Sequence, residues 1–293
     1  MFPFLITDDL IGTVTGKPSR YVIDFGRRSM LEAQEFKALF SRVEKRVLPD
    51  RQEAADKGAK QNKEALEANP EAKIAKDHSG ALERWWLLFR ARGQMINAIS
   101  KLPRYIVCGR VTKRPIFAFV DPTIHPNDSL TVFPLADDYS FGILQSGIHW
   151  QWFTERCSTL KGDWRYTSNT VFDSFPWPQE PTSRQIKSVA EAAAALRKHR
   201  DELRNKHGLQ LRELYRSLEK PGAHSLKDAQ AALDAAVRDA FGMSAKADPL
   251  QVLFDLNQAL AIAELKGESV QLPGLPATVT NCESFITTDR LVS

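Results

Sequence analysis

Between Arg84 and Val120 the chain carries eight basic side chains, Arg84, Arg90, Arg92, Lys101, Arg104, Arg110, Lys113 and Arg114, and not one Asp or Glu. The same window holds Trp85, Trp86, Phe89, Tyr105, Phe117 and Phe119. Cations neutralise phosphates and release counterions, and flat rings give bases a surface to stack on, so this interleaving is the composition of a nucleic-acid surface. It is equally the composition of a core helix and strand whose charges face water. A second basic stretch runs from Arg184 to Arg216, with nine Lys and Arg against Glu191, Asp201, Glu202 and Glu213. That stretch reads as a helix that tracks phosphates without reading bases, or as a solvated face laced with i,i+4 pairs such as Glu202 with Lys206.

Other chemistries fail on residue type or spacing. Methyl transfer to an exocyclic amine calls for an Asn/Asp-Pro-Pro-aromatic tetrapeptide and a glycine turn for the cofactor. Asn69-Pro70 is followed by Glu71 and Asp121-Pro122 by Thr123, and Phe25-Gly26-Arg27-Arg28 is a lone glycine turn between strand and helix. Asp50 and Glu71-Ala72-Lys73 imitate the spacing of a metal nuclease, yet Glu71 lies in a polar, Ala-rich segment rather than on a strand beside its partner carboxylate. His199 and His207 lack a third ligand, and His149 stands among tryptophans with no nucleophile in view. Cys108, Cys157 and Cys282 are odd in number and far apart, which fits reduced structural thiols rather than disulfides or zinc, and no bound metal is expected.

The elements that must position these residues follow from periodicity and punctuation. Short extended pieces at Phe4–Ile6 and Arg20–Phe25 precede an apolar helical stripe (Leu31, Phe36, Leu39, Phe40, Val43) that Pro49 should end. Residues 51–80 are polar and read as an exposed helical or flexible insertion. Leu82 to Ile99 reads as a helix. Three strands follow at 105–108, 115–120 and 130–135, then a helix from about Phe141 to Cys157 and an irregular loop from Lys161 to Tyr166. The proline run Pro176-Trp177-Pro178-Gln179-Glu180-Pro181 reads as a stiff connector. One long helix is expected from Ser183 to Leu218 and a second from Ser225. The third has Asp248 as N-cap, Pro249 at its first position and Gly267 beyond its end.

At 293 residues with 43% hydrophobic and 26% charged side chains, the chain is long enough for one or two packed domains, which excludes a disordered protein. No apolar run reaches the ~20 residues of a spanning helix, and Met1 to Asp9 lacks a basic leader, so a cytoplasmic, non-membrane location is expected. The expected fold class is α+β: a mixed, β-rich recognition domain with flanking helices, followed by a C-terminal helical segment. Its parts are a lead-in over 1–50, the insertion over 51–80, the recognition core over 81–178, a helical domain over 183–267 and a tail over 268–293.

Several ordered blocks resemble a known family. Arg104-Tyr105-Ile106-Val107, Arg110-Val111-Thr112-Lys113-Arg114, Leu130-Thr131-Val132-Phe133 and Asp137-Asp138-Tyr139-Ser140-Phe141-Gly142 are four of them. The most specific is Arg165-Tyr166-Thr167-Ser168-Asn169-Thr170 leading into Phe175-Pro176-Trp177-Pro178. Together they resemble the target-recognition domain and C-terminal region of MmeI-like (type IIG/IIL) DNA adenine methyltransferases of restriction–modification systems. The resemblance implies a module that recognises double-stranded DNA for a methyltransferase catalytic domain or subunit lying upstream or on another chain. That part would use S-adenosylmethionine, and no cofactor is implied for the residues here. Arg104, Arg110, Lys113 and Arg114 are then expected at phosphates or guanine edges. Lys161, Asp163, Trp164 and Arg165 form a candidate reading loop, with an acceptor for cytosine beside a donor for guanine. The alternative is a protein-interaction or scaffolding module whose basic face is merely solvated.

Overall fold

A computed structural model describes residues 1–160 and 162–293. In chain order the elements are β1 (Phe2–Leu5), α1 (Thr7–Gly12), β2 (Arg20–Val22), α2 (Met30–Gln34), α3 (Lys37–Ala68), α4 (Asp77–Glu83) and α5 (Gly93–Ile99). Then come β3 (Tyr105–Gly109), β4 (Ala118–Val120), β5 (His125–Pro126), β6 (Leu130–Phe133), α6 (Asp138–Gln145), α7 (Gly147–Arg156), β7 (Ser158–Leu160) and β8 (Asp163–Arg165). A π-helical turn (Ser168–Phe172) leads to α8 (Ser183–His207), α9 (Leu211–Ser217), α10 (Ser225–Ala240) and α11 (Pro249–Leu265). Small sheets among many helices make this a mixed α+β fold, with 51% helix and 10% strand.

Packing divides the chain into two compact units, one of Met1–Phe2 with Tyr21–Asn97, the other of Pro3–Arg20 with Ala98–Ser293. In the first, Phe25, Ala33, Phe40, Val43 and Trp85 form a small core. Pro49 does not end α3, which runs on to Ala68. A proline inside a helix forfeits one hydrogen bond and costs ~3 kcal/mol. Contacts distant in sequence offset it: Arg51 lies over the Phe89 ring at 4.8 Å, and the Asn62 amide bonds both the N–H and the carbonyl of Ala75. The helix expected over 82–99 is two helices, α4 and α5, with turns between them that include Arg92 at a φ of 46°.

The second unit is built around the antiparallel sheet β4-β3-β6, in register Ile106↔Phe119 and Ile106↔Phe133. One hydrophobic cluster runs from Ile106 and Phe117 through Trp152, Tyr166 and Trp177 to Val189, Leu196, Leu233 and Leu253. Pro176, Trp177, Pro178 and Pro181 are buried inside it, so the proline run lies within a packed body rather than between two. Helices α6 and α8 approach closely at Gly142, where a Cβ would stand 2.7 Å from a Val189 methyl. The helix expected over 141–157 is split at Ser146, whose hydroxyl accepts the His149 N–H at 3.2 Å and so caps α7. Gly147 leaves room for Asp234 of α10, which accepts the Gly147 N–H at 2.8 Å.

The long C-terminal helix stops at Gly208, whose φ of 62° suits a residue without a Cβ, and α9 restarts at Leu211. The N-cap of α10 is His224, through Nδ1, and Ser225 is the first helical residue. Asp248, Pro249 and Gly267 bound α11 as expected. The tail is integrated: Leu291 pairs beside β4, donating to Phe119 O at 2.8 Å and accepting from the Asp121 N–H at 2.9 Å. Among the described residues no helix is long and apolar enough to cross a membrane.

Candidate nucleic-acid interface

Residues 162–166 are less irregular than their sequence reads. Strands β7 and β8 form a hairpin in register Ser158↔Arg165 and Thr159↔Trp164, and the outer edge of β8 pairs with the continuation of β3. Thr112 N–H donates to Trp164 O at 3.0 Å, and Tyr166 N–H donates to Arg110 O at 2.8 Å. Alternation along paired strands puts every second side chain on one face. The pairing carries Asp163 and Arg165 to the stretch that holds Arg110, Lys113 and Arg114, about fifty residues earlier in the chain.

These five side chains meet at one groove of about 1120 Å³. Its far wall comes from α9 and the turn after it, with Arg212, Arg216 and Lys220, and from Thr7, Asp8 and Ile11 in and around α1. Ile116 and Tyr215 add apolar surface. Seven basic side chains face four acidic ones, a balance that favours an anion while leaving acceptors for amino groups. Lys113 is exposed, whereas Arg114 is half-buried with its guanidinium 4.8 Å from the Trp150 ring and 5.8 Å from that of Tyr215. The Nε–H of Arg165 is buried without an acceptor among the described residues, a donor the protein itself leaves unmet.

Other expected site residues go elsewhere. Arg104 is fully buried, which corrects its expected place at DNA. Its Nη2 donates to Asp138 at 2.7 Å, its Nη1 to Thr287 and Asp289 at 2.9 and 3.0 Å, and its Nε to the Ala136 carbonyl at 2.8 Å. Arg197 of α8 closes the same cluster on Asp138 and Asp289, and both guanidiniums lie over the Phe119 ring. Burial lowers the Arg104 pKa, opposed by Asp138. Burial alone would raise the Asp289 carboxyl, but the hydrogen bond and charge of Arg197, with Thr287 and Arg104, hold it well below the usual carboxylate range. Trp164 is half-buried, with its ring edge-to-face on Phe153 at 6.1 Å, so it seats the hairpin on α7. Lys161 lies outside the described residues.

Of the two readings of the ring-rich window, the core one holds for four of its rings. Tyr105, Phe117 and Phe119 are core, and Trp85 is core in the other unit. His149, also buried, shares a 3.0 Å hydrogen bond with Tyr166, and burial pushes its pKa down to about 3, so it is neutral. The long basic helix fits neither of its two readings at Arg197, Arg200 and Arg204. Arg200 bonds the Phe117 carbonyl at 2.8 Å and Arg204 the Val14 carbonyl at 2.7 Å, which makes them struts of the fold. Sequence reasoning put Arg212 and Arg216 on one undivided basic helix and did not separate α9 as a wall of the groove. Its signal was the basic spacing 212, 216, 220, legible only once Leu211, Leu214 and Tyr215 are seen to face inward.

At the glycine turn the exposed Arg28 donates from Nη1 to the Phe25 carbonyl at 3.1 Å. Cys108, Cys157 and Cys282 are free thiols, and no group of three or more His, Cys, Asp or Glu that could hold a metal occurs among the described residues.

Comparison with known proteins finds a family match over a segment that lines part of the groove. Residues 106–179 match the family described as MmeI, target recognition domain. DNA methyltransferase A of Bacillus subtilis (strain 168) is 31% identical over 128 residues, which are 43% of this chain and 14% of that protein. The solved structure of the type IIL restriction-modification enzyme MmeI in complex with DNA matches with a TM-score of 0.64 at 21% identity. That match covers 89% of this chain and 31% of the MmeI chain, and it shows a shared fold.

Proposed function

We propose that this chain, whose residues 106–179 form an MmeI-like target recognition domain, is the sequence-specific double-stranded DNA recognition module of an adenine-N6 methyltransferase in a restriction–modification enzyme. The observation that carries the reading is the β7–β8 hairpin paired onto residues 110–112, which gathers Asp163 and Arg165 with three further cations at one groove. Arg165 donates to the O6 and N7 acceptors of guanine, and Asp163 accepts from the amino group of cytosine, each such pair worth ~1–3 kcal/mol of discrimination. Lys113 and Arg110 meet phosphates and fix the register of the duplex. Methyl transfer belongs to a catalytic domain or subunit that binds S-adenosylmethionine and takes the target adenine out of the stack. This chain's residues hold and orient the duplex for it.

The test is selection from duplexes with a randomised core, followed by anisotropy titrations of the enriched and scrambled duplexes at several salt concentrations. Enrichment of one sequence, with log K falling linearly against log salt, is the expected result. Replacing Arg165 with Ala relaxes preference at one base pair and spares the salt slope. Absence of duplex binding at low salt overturns the reading.

A further inference from the structure

The matched family segment ends at residue 179, yet the groove has a second wall beyond it, made by α9 and the turn that follows. Leu211, Leu214 and Tyr215 are buried, so α9 is fixed in rotation and its opposite ridge, Arg212, Arg216 and Lys220, is held toward the groove. Three successive turn bonds, Leu218 N–H to Tyr215 O, Glu219 N–H to Arg216 O and Lys220 N–H to Ser217 O, carry the helical path on to Lys220. The Lys227 ammonium then binds the Lys220 and Gly222 carbonyls and closes the turn.

The three cations of the ridge are not equivalent. Arg212 pairs with Asp8 of α1 at 2.9 Å, which ties α9 to α1 and neutralises that charge. Arg216 and Lys220 are exposed, and among the described residues no carboxylate lies within ion-pair distance of either. Four residues of helix advance ~6 Å. One strand of B-DNA offers a phosphate every ~3.4 Å of axis, so successive cations of the ridge stand nearly two phosphate steps (~6.8 Å) apart, a difference that long Arg and Lys side chains take up.

We propose that Arg216 and Lys220 form a phosphate-binding rail, which grips the backbone of the duplex whose bases Asp163 and Arg165 read, with Arg212 as its strut. The proposal rests on the DNA-recognition reading and assigns the helical C-terminal region a direct part in it. The rail contributes affinity without sequence preference, because phosphates are alike at every base pair.

The experiment compares the full chain with Arg216→Gln/Lys220→Gln on the selected duplex from 50 to 200 mM salt. Two lost phosphate contacts make the log–log slope shallower by ~1.8, so affinity drops ~12-fold less over that range than in the parent. The selected sequence stays the same, and Arg216→Lys restores its share of the slope. Lys187→Gln/Lys198→Gln, which removes the same charge from the exposed face of α8, leaves the slope unchanged. Parental binding with an unchanged slope in the α9 variant overturns the rail alone. An equal change in the α8 variant also overturns it, by reducing the effect to net charge. Failure of the parent to bind any duplex overturns the DNA reading and the rail with it.

Discussion

Replacing Arg104 with methionine separates a structural arginine from a phosphate contact. The side chain sits in a motif that reads as basic surface, but in the fold its guanidinium meets Asp138 at 2.7 Å with 1% and 4% of the two side chains exposed. Breaking a buried pair outright costs ~3–5 kcal/mol; here Arg197 still compensates Asp138, so that figure is an upper bound for Arg104→Met. The arm to Asp289 adds little, since that side chain is 39% exposed and surface pairs are worth ~0–1 kcal/mol. For a unit of about 200 residues, each kcal/mol shifts Tm by ~2–4 °C, so Arg104→Met should melt lower, by at most ~20 °C. Circular dichroism against temperature and urea reads the loss. Anisotropy at 10 °C, where the variant is still folded, should return the parental salt slope. Arg104→Lys does not rescue it, because an ammonium cannot make the forked contacts to Ala136, Asp138 and Asp289 at once. A stability change under ~1 kcal/mol together with a slope shallower by ~0.9 would refute the reasoning and put Arg104 at the DNA.

Two further expectations concern the body that carries the groove and the helices outside it. Gly142→Ala brings a Cβ within 2.7 Å of the Val189 methyl and 3.2 Å of its carbonyl, and a valine in a helix has no second rotamer to retreat to. Overpacking of ~1–3 kcal/mol outweighs the ~1 kcal/mol gained in helix propensity. Gly80→Ala in α4, with nothing within 4 Å, gains that propensity alone, so urea midpoints should move in opposite directions; movement in the same direction sinks the close-approach argument. The depressed Asp289 pKa makes the unfolded chain bind its proton first as pH falls. The stability it contributes is present above ~pH 4, its unfolded value, and fades as acid approaches the lower folded value. Urea midpoints from pH 6 to pH 2.5 should fall less steeply in Asp289→Asn than in the parent, and parallel curves count against the linkage.

Legibility in the sequence followed the range of the interactions. Asp248-Pro249 and Gly267 are local signals, and the helix they bound is where they place it. Pro49 is also a local signal, but the contacts that override it, Arg51 with Phe89 and Asn62 with Ala75, join residues far apart in sequence. Of the candidate site, Arg110, Lys113, Arg114, Asp163 and Arg165 share one groove because two strands pair across an interval that composition does not encode. Arg104 stands in the same motif and goes to the interior, since its partners lie 34 and 185 residues away. A basic residue in a window rich in rings carries no mark of which side it faces. The pleat decides that, and the rings Tyr105, Phe117 and Phe119 took the inside.

The seating of Asp289 and Leu291 bears on how the chain matures during synthesis. Arg104 and Arg197 share the carboxylates of Asp138 and Asp289, and the edge beside β4 stays open until Leu291 pairs there. At ~5–20 residues per second, nearly two hundred residues separate translation of Arg104 from that of Asp289, an interval of ~10–40 s. For about the last half of that time, once Arg197 has been made, two guanidiniums share the one carboxylate of Asp138. Residues 287–291 thus supply the second carboxylate of the cluster and close the edge beside β4.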